Sequence, residues 1–301
     1  MRILLTLSYD GSAFAGWQRQ ENAVTVQEVL EEALSEVFGQ EVKVTGASRT
    51  DAGVHALGQR AAFTVAETKI PLEKLPYVIN NALSAGKADR GLPAHAVRKA
   101  GGGRAEPPDV VVTRAEAVPE SFHPRFDAVE KTYGYMYLCA KFPDPLVRNA
   151  WFCPRGLDAE KMDAAARDFA GVHDFAAFCA AGSGAKTTVR EIYECRVENL
   201  TERQNNGVSA CRDVSPMLLR FARNDAFALN RRGSEGRLLA LFVRGNGFLY
   251  NMVRIMAGTL LYVGEGKLPA DCVPGIIKSG DRTKAGMTAP AMGLTLMEVK
   301  Y

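Results

Sequence analysis

The sequence predicts an α+β protein made of two related ferredoxin- or RRM-like subdomains with mixed antiparallel sheets. Two observations carry that expectation. Segments with apolar period 2 alternate with segments of period 3.6, and their order in the first half recurs in the second. With 301 residues the chain has volume for two cores, and its 47% hydrophobic and 24% charged residues are those of a globular protein.

Residues 2–9, RILLTLSY, place Ile3, Leu5 and Leu7 on one face and read as a strand. After the turn YDGSAFAGWQRQ, Thr25 and Glu28 form a capping box for a helix with Val26, Val29, Leu30, Ala33, Leu34 and Val37 at helical spacing and Gly39 as its C-terminal cap. Strands are expected at 41–46 and 59–65, on either side of the loop GASRTDAGVHA. Pro71 suits a helix start for LEKLPYVINNAL, with Pro76 breaking or restarting it. Residues 84–107 are rich in Gly, Pro and charge and read as an insertion before the strand DVVVTRAEAV.

The second half is expected to open with the strand KTYGYMYLC at 131–139, followed by a helix from near Asp158 and a strand at 189–198. A polar insertion then precedes a strand at 237–245, a helix from Phe248 to about Val263, and a closing strand, GLTLMEVKY. These elements divide as 1–113 and 114–301.

Composition narrows the function. A net charge of +3 permits nucleic-acid binding without requiring it, since a local basic face matters more than the total. Six cysteines without a C-x-x-C pair and four histidines without ligand spacing imply no metal site and reduced thiols, and so a cytoplasmic protein. The N-terminal apolar run is too short for a signal peptide, and GFLYNMVRIMAGTLLYVG is interrupted by Asn251 and Arg254, so it reads as a buried helix. The tract Gly101–Gly103 lacks the Lys-Ser/Thr of a P-loop.

Two features carry chemistry. The loop at 46–56 holds Arg49, Asp51 and His55 among small residues, more than a turn needs. Arg254 lies on a helix apolar all round, where a buried guanidinium requires an acceptor. Asp51 is one candidate; a salt bridge within the second half, or a side chain snorkelling to a rim, fits the periodicity equally.

At these residues the chain resembles the tRNA pseudouridine synthase A family. GASRTDAGVHALGQ is similar to its signature, and YDGSAFAGWQRQ, SFHPRFDAVEKTYGYMY, VRGNGFLYNMVRIMAGTLLYVGEGKL and DRTKAGMTAPAMGLTLMEVKY resemble four further motifs in the family's order. The departures are insertions around 87–106 and 203–235. The resemblance implies the pseudouridine synthase fold, with sheets joined across a central catalytic cleft. It further implies Asp51 as catalytic aspartate, Tyr133 as active-site tyrosine and Arg254 as the aspartate's basic partner, with Arg49 filling the space of an extruded base. Tyr133 and Tyr135 share a strand face, so only the K-x-Y pattern selects Tyr133. The implied substrate is uridine in the anticodon stem-loop of tRNA, the implied assembly a homodimer.

Such an isomerisation changes no oxidation state and implies no cofactor. It needs an anionic group near C1′ and C6, a partner for the C5 proton, and a flipped nucleotide. His55 is a candidate substrate contact, set against a packing role within the loop. Arg90, Arg98, Lys99, Arg104, Arg231 and Arg232 are candidates for the RNA backbone, set against ordinary solvated charge. A non-catalytic pair of RRM-like modules is the alternative, but no RNP-like aromatic run is present. An aspartic protease would need a second D-[TSA]-G, which is absent, and no second acid accompanies the motif for a glycosidase.

Overall fold

The computed structural model describes residues 1–85, 109–201 and 236–301. They form two compact units, one of residues 1–129 with 298–301 and the other of residues 130–297.

In the first unit the order is β1 (Arg2–Tyr9), α1 (Val26–Phe38), β2 (Thr45–Gly46), β3 (His55–Thr64), α2 (Leu75–Ala85) and β4 (Val110–Val118). The sheet runs β4-β1-β3, both pairs antiparallel, with β2 antiparallel on β3. Ile3, Leu5 and Leu7 are fully buried with Leu30 and Leu34 of α1, as their spacing predicts. The Thr25 side chain accepts from Glu28 N at 3.3 Å and Gly39 closes α1 at φ 63°. The Glu28 carboxylate lies 3.4 Å from Arg19.

The expected strand at 41–46 is paired only at its last two residues. The backbone N–H groups of Val42 and Val44 donate instead to Ser35 Oγ and Glu31 Oε1 of α1, both at 3.0 Å, so side chains replace a sheet ladder there. Pro76 is the second residue of α2, where a missing N–H costs nothing. Strand β4 runs past residue 113 and stays paired with β1 to Val118, and the unit continues to Val129. The Asn80 carboxamide ties α2 to it, donating to Val112 O (2.9 Å) and accepting from Val112 N (2.8 Å).

In the second unit the order is β5 (Glu130–Cys139), β6 (Trp151–Cys153), α3 (Ala159–Arg167), β7 (Gly171–Asp174), β8 (Val189–Asn199), β9 (Arg237–Gly245), α4 (Met252–Gly264), α5 (Cys272–Ser279) and β10 (Leu294–Lys300), whose last residues belong to the first unit. The strand order is β10-β5-β9-β8-β7, with β6 parallel to β5. Without the short additions β6, β7 and α5, both units read β-α-β-β-α-β with the fourth strand beside the first and the third between first and second. The duplication expected from element order is therefore also one of sheet topology.

Helix α4 starts at Met252, not Phe248, because Asn251 adopts the left-handed conformation (φ 58°, ψ 8°), the only non-glycine residue with positive φ among the described residues. Among the described residues no helix is long and apolar enough to cross a membrane, and no group of three His, Cys, Asp or Glu side chains is placed to hold a metal ion. The described cysteines 139, 153, 179, 195 and 272 are free.

Trp17 lies buried against Gly46, where a Cβ would stand 2.4 Å from the indole ring. Gly46→Ala is therefore expected to destabilise the protein by about 1–3 kcal/mol, measurable as a lower urea midpoint at unchanged slope.

Candidate active site

The Asp51 loop is held from four directions. Fully buried Gln59 on β3 donates from Nε2 to Ser48 O (2.7 Å) and accepts at Oε1 from Ser48 N (3.2 Å), so one carboxamide fixes both sides of residue 48. The hydroxyls of Tyr9, at the end of β1, and Thr50 are hydrogen-bonded at 2.7 Å. Thr50 O accepts from Trp17 N at 3.0 Å, and Phe14 O accepts from Gly53 N at 3.2 Å. Asp51–Val54 forms a turn closed by Val54 N to Asp51 O at 3.1 Å, with Gly53 at φ 77° in the position that demands positive φ. Gly11 seats against this turn so closely that a Cβ there would lie 2.0 Å from Val54 O. The outcome is a half-buried Asp51 on a fixed backbone, with Arg49 exposed two residues before it.

His55 begins β3 and is buried, which favours the packing role weighed for it. Its Nδ1 is 3.2 Å from Asp10 Oδ1 and 3.1 Å from Gly11 N. A proton on Nδ1 serves the carboxylate; its absence lets Nδ1 accept from Gly11. The hydrogen bond from His55, opposed by desolvation and supported by Ser12, holds the Asp10 carboxyl far below the usual range.

In the second unit the tyrosines of β5 separate by environment. Tyr135 Oη donates to Pro290 O (2.8 Å) and Tyr137 Oη to Ala257 O (2.9 Å). Burial raises the phenol pKa of both, with the nearby Arg254 opposing the rise at Tyr135. Tyr133, opposite Val243 in the β5–β9 ladder, packs edge-on against Phe248 with ring centroids 5.1 Å apart. Tyr135 and Tyr137 thus each tie β5 to a distant backbone carbonyl through a buried hydroxyl.

Arg254 lies in the first turn of α4, half-buried on a helix otherwise almost wholly buried. Its Nε donates to Ala289 O (2.7 Å) and its Nη1 to Asn251 Oδ1 (2.8 Å). These two neutral acceptors fix the plane of the guanidinium. Asn251 and Gln59 were not singled out from sequence. Asn before a helix carries a faint signal through its tolerance of positive φ; Gln59 closes the signature GASRTDAGVHALGQ, but its bracing role needs the fold. The backbone candidates Arg90, Arg98, Lys99, Arg104, Arg231 and Arg232 lie outside the described residues.

A duplicated α+β fold with an aspartate on a braced loop in one unit, and an oriented arginine and an edge-on tyrosine–phenylalanine pair in the other, is the class the geometry defines. The family model described as tRNA pseudouridine synthase matches residues 6–100 and 165–301. Proteins called tRNA pseudouridine synthase A are similar over their full length. That of Thermoanaerobacter sp. (strain X514) is 41% identical over 300 residues, 99% of each chain. That of Ruminiclostridium cellulolyticum is 41% identical over 301 residues, 100% of this chain and 99% of its own. The relative from Geotalea daltonii is 37% identical over 300 residues. The chain belongs to the tRNA pseudouridine synthase family.

Gln59→Leu is expected to cost about 1–3 kcal/mol by stranding the Ser48 peptide groups, read by thermal melting. The depressed Asp10 pKa stabilises the folded state at pH values above its unfolded pKa of about 3.9, and that stability is lost as pH falls toward the folded value. Asp10→Asn is therefore expected to be less stable than wild type at neutral pH and to lose less stability on acidification below about pH 4, in melting curves taken across that range.

Proposed function

We propose that this chain isomerises uridine to pseudouridine in the anticodon stem-loop of tRNA, with Asp51, Tyr133 and Arg254 as its catalytic residues. The observation that carries the reading is the end-to-end similarity to relatives named tRNA pseudouridine synthase A, together with an Asp51 whose loop is braced from several sides. The bond from ribose C1′ to N1 breaks, C1′ bonds to C5, C5 gives up its proton and N1 gains one, so substrate and product are isomers. Attack at C6 of the base, attack at C1′ of the sugar and glycal formation by loss of the C2′ proton all require the Asp51 carboxylate ionised at the ribose–base junction. A guanidinium partner keeps it so even in a dry site. Arg254 supplies that charge on this reading, its plane set by Asn251 and Ala289. The Tyr133 ring stacks on the detached uracil and its hydroxyl takes part in removal of the C5 proton.

Arg49 fills the space of the everted nucleotide, a role its exposure beside Asp51 supports. His55, being buried, acts on this reading by shaping the loop. Arg90, Arg98, Lys99, Arg104, Arg231 and Arg232 grip phosphates, each neutralisation of one of them lowering the salt slope of tRNA binding by about 1. The enzyme works in the cytoplasm as a homodimer.

The test uses unmodified tRNA, carbodiimide treatment and primer-extension stops. Wild type is expected to give stops at anticodon stem-loop uridines. Asp51→Asn is expected to give none while binding tRNA with nearly unchanged affinity; activity in that variant refutes the reading. Tyr133→Phe is expected to keep tRNA binding and slow the reaction about 10²–10⁴-fold, the usual worth of a general acid–base group, in single-turnover rates.

A further inference from the structure

A segment with no role so far lies along α4 and ends at Arg254. After α5 the chain makes a short 3-10 turn, Arg282–Lys284, capped by the Asp281 side chain, which accepts from Thr283 N. The half-buried Arg282 then turns onto its own downstream backbone. Its Nη1 donates to Gly286 O (2.8 Å) and its Nη2 to Thr288 Oγ1 (3.3 Å). This fork holds residues 286–288 as a strap pressed onto α4. Gly286 N donates to Thr259 Oγ1 at 2.8 Å, and a Cβ on Gly258 would lie 1.8 Å from Met287 O, so the two backbones meet where only glycine fits. The next residue, Ala289, takes both ends of the exchange with Arg254. Ala289 N donates to Arg254 O (3.0 Å), and Ala289 O accepts from Arg254 Nε (2.7 Å).

We propose that Arg282 is a positioning residue for Arg254, setting the direction of its guanidinium through the 286–289 strap; this rests on the reading that Arg254 serves Asp51. The Nε–H of Arg254 has its acceptor on the backbone of the strap, and the position of that carbonyl is set by the Ala289–Arg254 and Gly286–Thr259 bonds and by the Arg282 fork, which holds the residues between them. Removing the fork leaves the strap tied to α4 by one hydrogen bond each at Gly286 N and Ala289 N, so that residues 287 and 288 can move and tilt the Ala289 carbonyl. A guanidinium reaches two acceptors in a fixed plane; an ammonium, as a point donor on a flexible stem, does not. A displacement of about 1 Å in a group that orients chemistry costs on the order of 10²-fold in rate, so a small shift at Ala289 is enough to register.

The test compares Arg282→Ala, Arg282→Lys and Thr288→Val with wild type and Arg254→Ala on unmodified tRNA, reading single-turnover rate, tRNA affinity and the pH–rate profile. For Arg282→Ala the expected result is a rate lowered about 10- to 100-fold with tRNA affinity unchanged. The acid limb of its profile should move to higher pH, because a displaced guanidinium leaves the Asp51 carboxylate easier to protonate. Arg282→Lys should recover only part of the rate, and Thr288→Val should lose less with the same sign. A wild-type rate and profile for Arg282→Ala overturns the proposal. So does weakened tRNA binding at unchanged rate, which makes Arg282 an RNA contact, and so does a lowered rate with an unmoved acid limb, which makes it structural. If Arg282→Ala fails to fold, Thr288→Val decides by the same criteria. A wild-type rate in Arg254→Ala refutes the role of Arg254 itself, whereas loss there with none in Arg282→Ala refutes this inference alone.

Discussion

One carboxamide governs the Asp51 loop of the first unit. Gln59 bonds the N–H and the C=O of Ser48 at once, from a fully buried position on a strand paired with β1. A loop of small residues has little side-chain packing of its own and would sample many conformations if left to itself. Pinning one residue on both sides restricts that freedom three residues before Asp51. The Tyr9–Thr50 hydroxyl pair and the close seat of Gly11 against Val54 restrict it further.

The motif YDG at 9–11 and the motif GASRTDAGVHA are thus one physical object. Tyr9 supplies a hydroxyl to Thr50, Asp10 a carboxylate to His55, and Gly11 the absence of a side chain where the turn needs room. Sequence separation hides this, because the contacts depend on β1 and β3 being neighbours in register, with Tyr9 opposite Ala56. The second unit follows the same logic with different parts. There the oriented group is a guanidinium, and the orientation comes from a left-handed asparagine on one side and a backbone strap on the other.

Both units use glycine for approach as much as for turning. Gly258 and Gly286 let the strap lie against a helix at backbone distance, which gives Ala289 its reciprocal bonds to Arg254. A side chain at either position would hold the strap away from α4 and take the acceptor of Arg254 Nε with it.

The order of elements, the capped helix α1, the buried helix carrying Arg254 and the loop carrying Asp51 were legible in the sequence, since each depends on local periodicity, capping chemistry or a compact motif. That the Tyr135 hydroxyl is bonded to the Pro290 carbonyl was decided only by tertiary structure, because alternation along a strand gives Tyr133 and Tyr135 the same face and says nothing of a segment 155 residues away. The same holds for the short β2, whose backbone donors are drawn off by Glu31 and Ser35 of α1, and for the late start of α4 at Asn251. Local sequence specifies what a segment prefers; which distant acceptor satisfies a given donor is settled when the chain is packed.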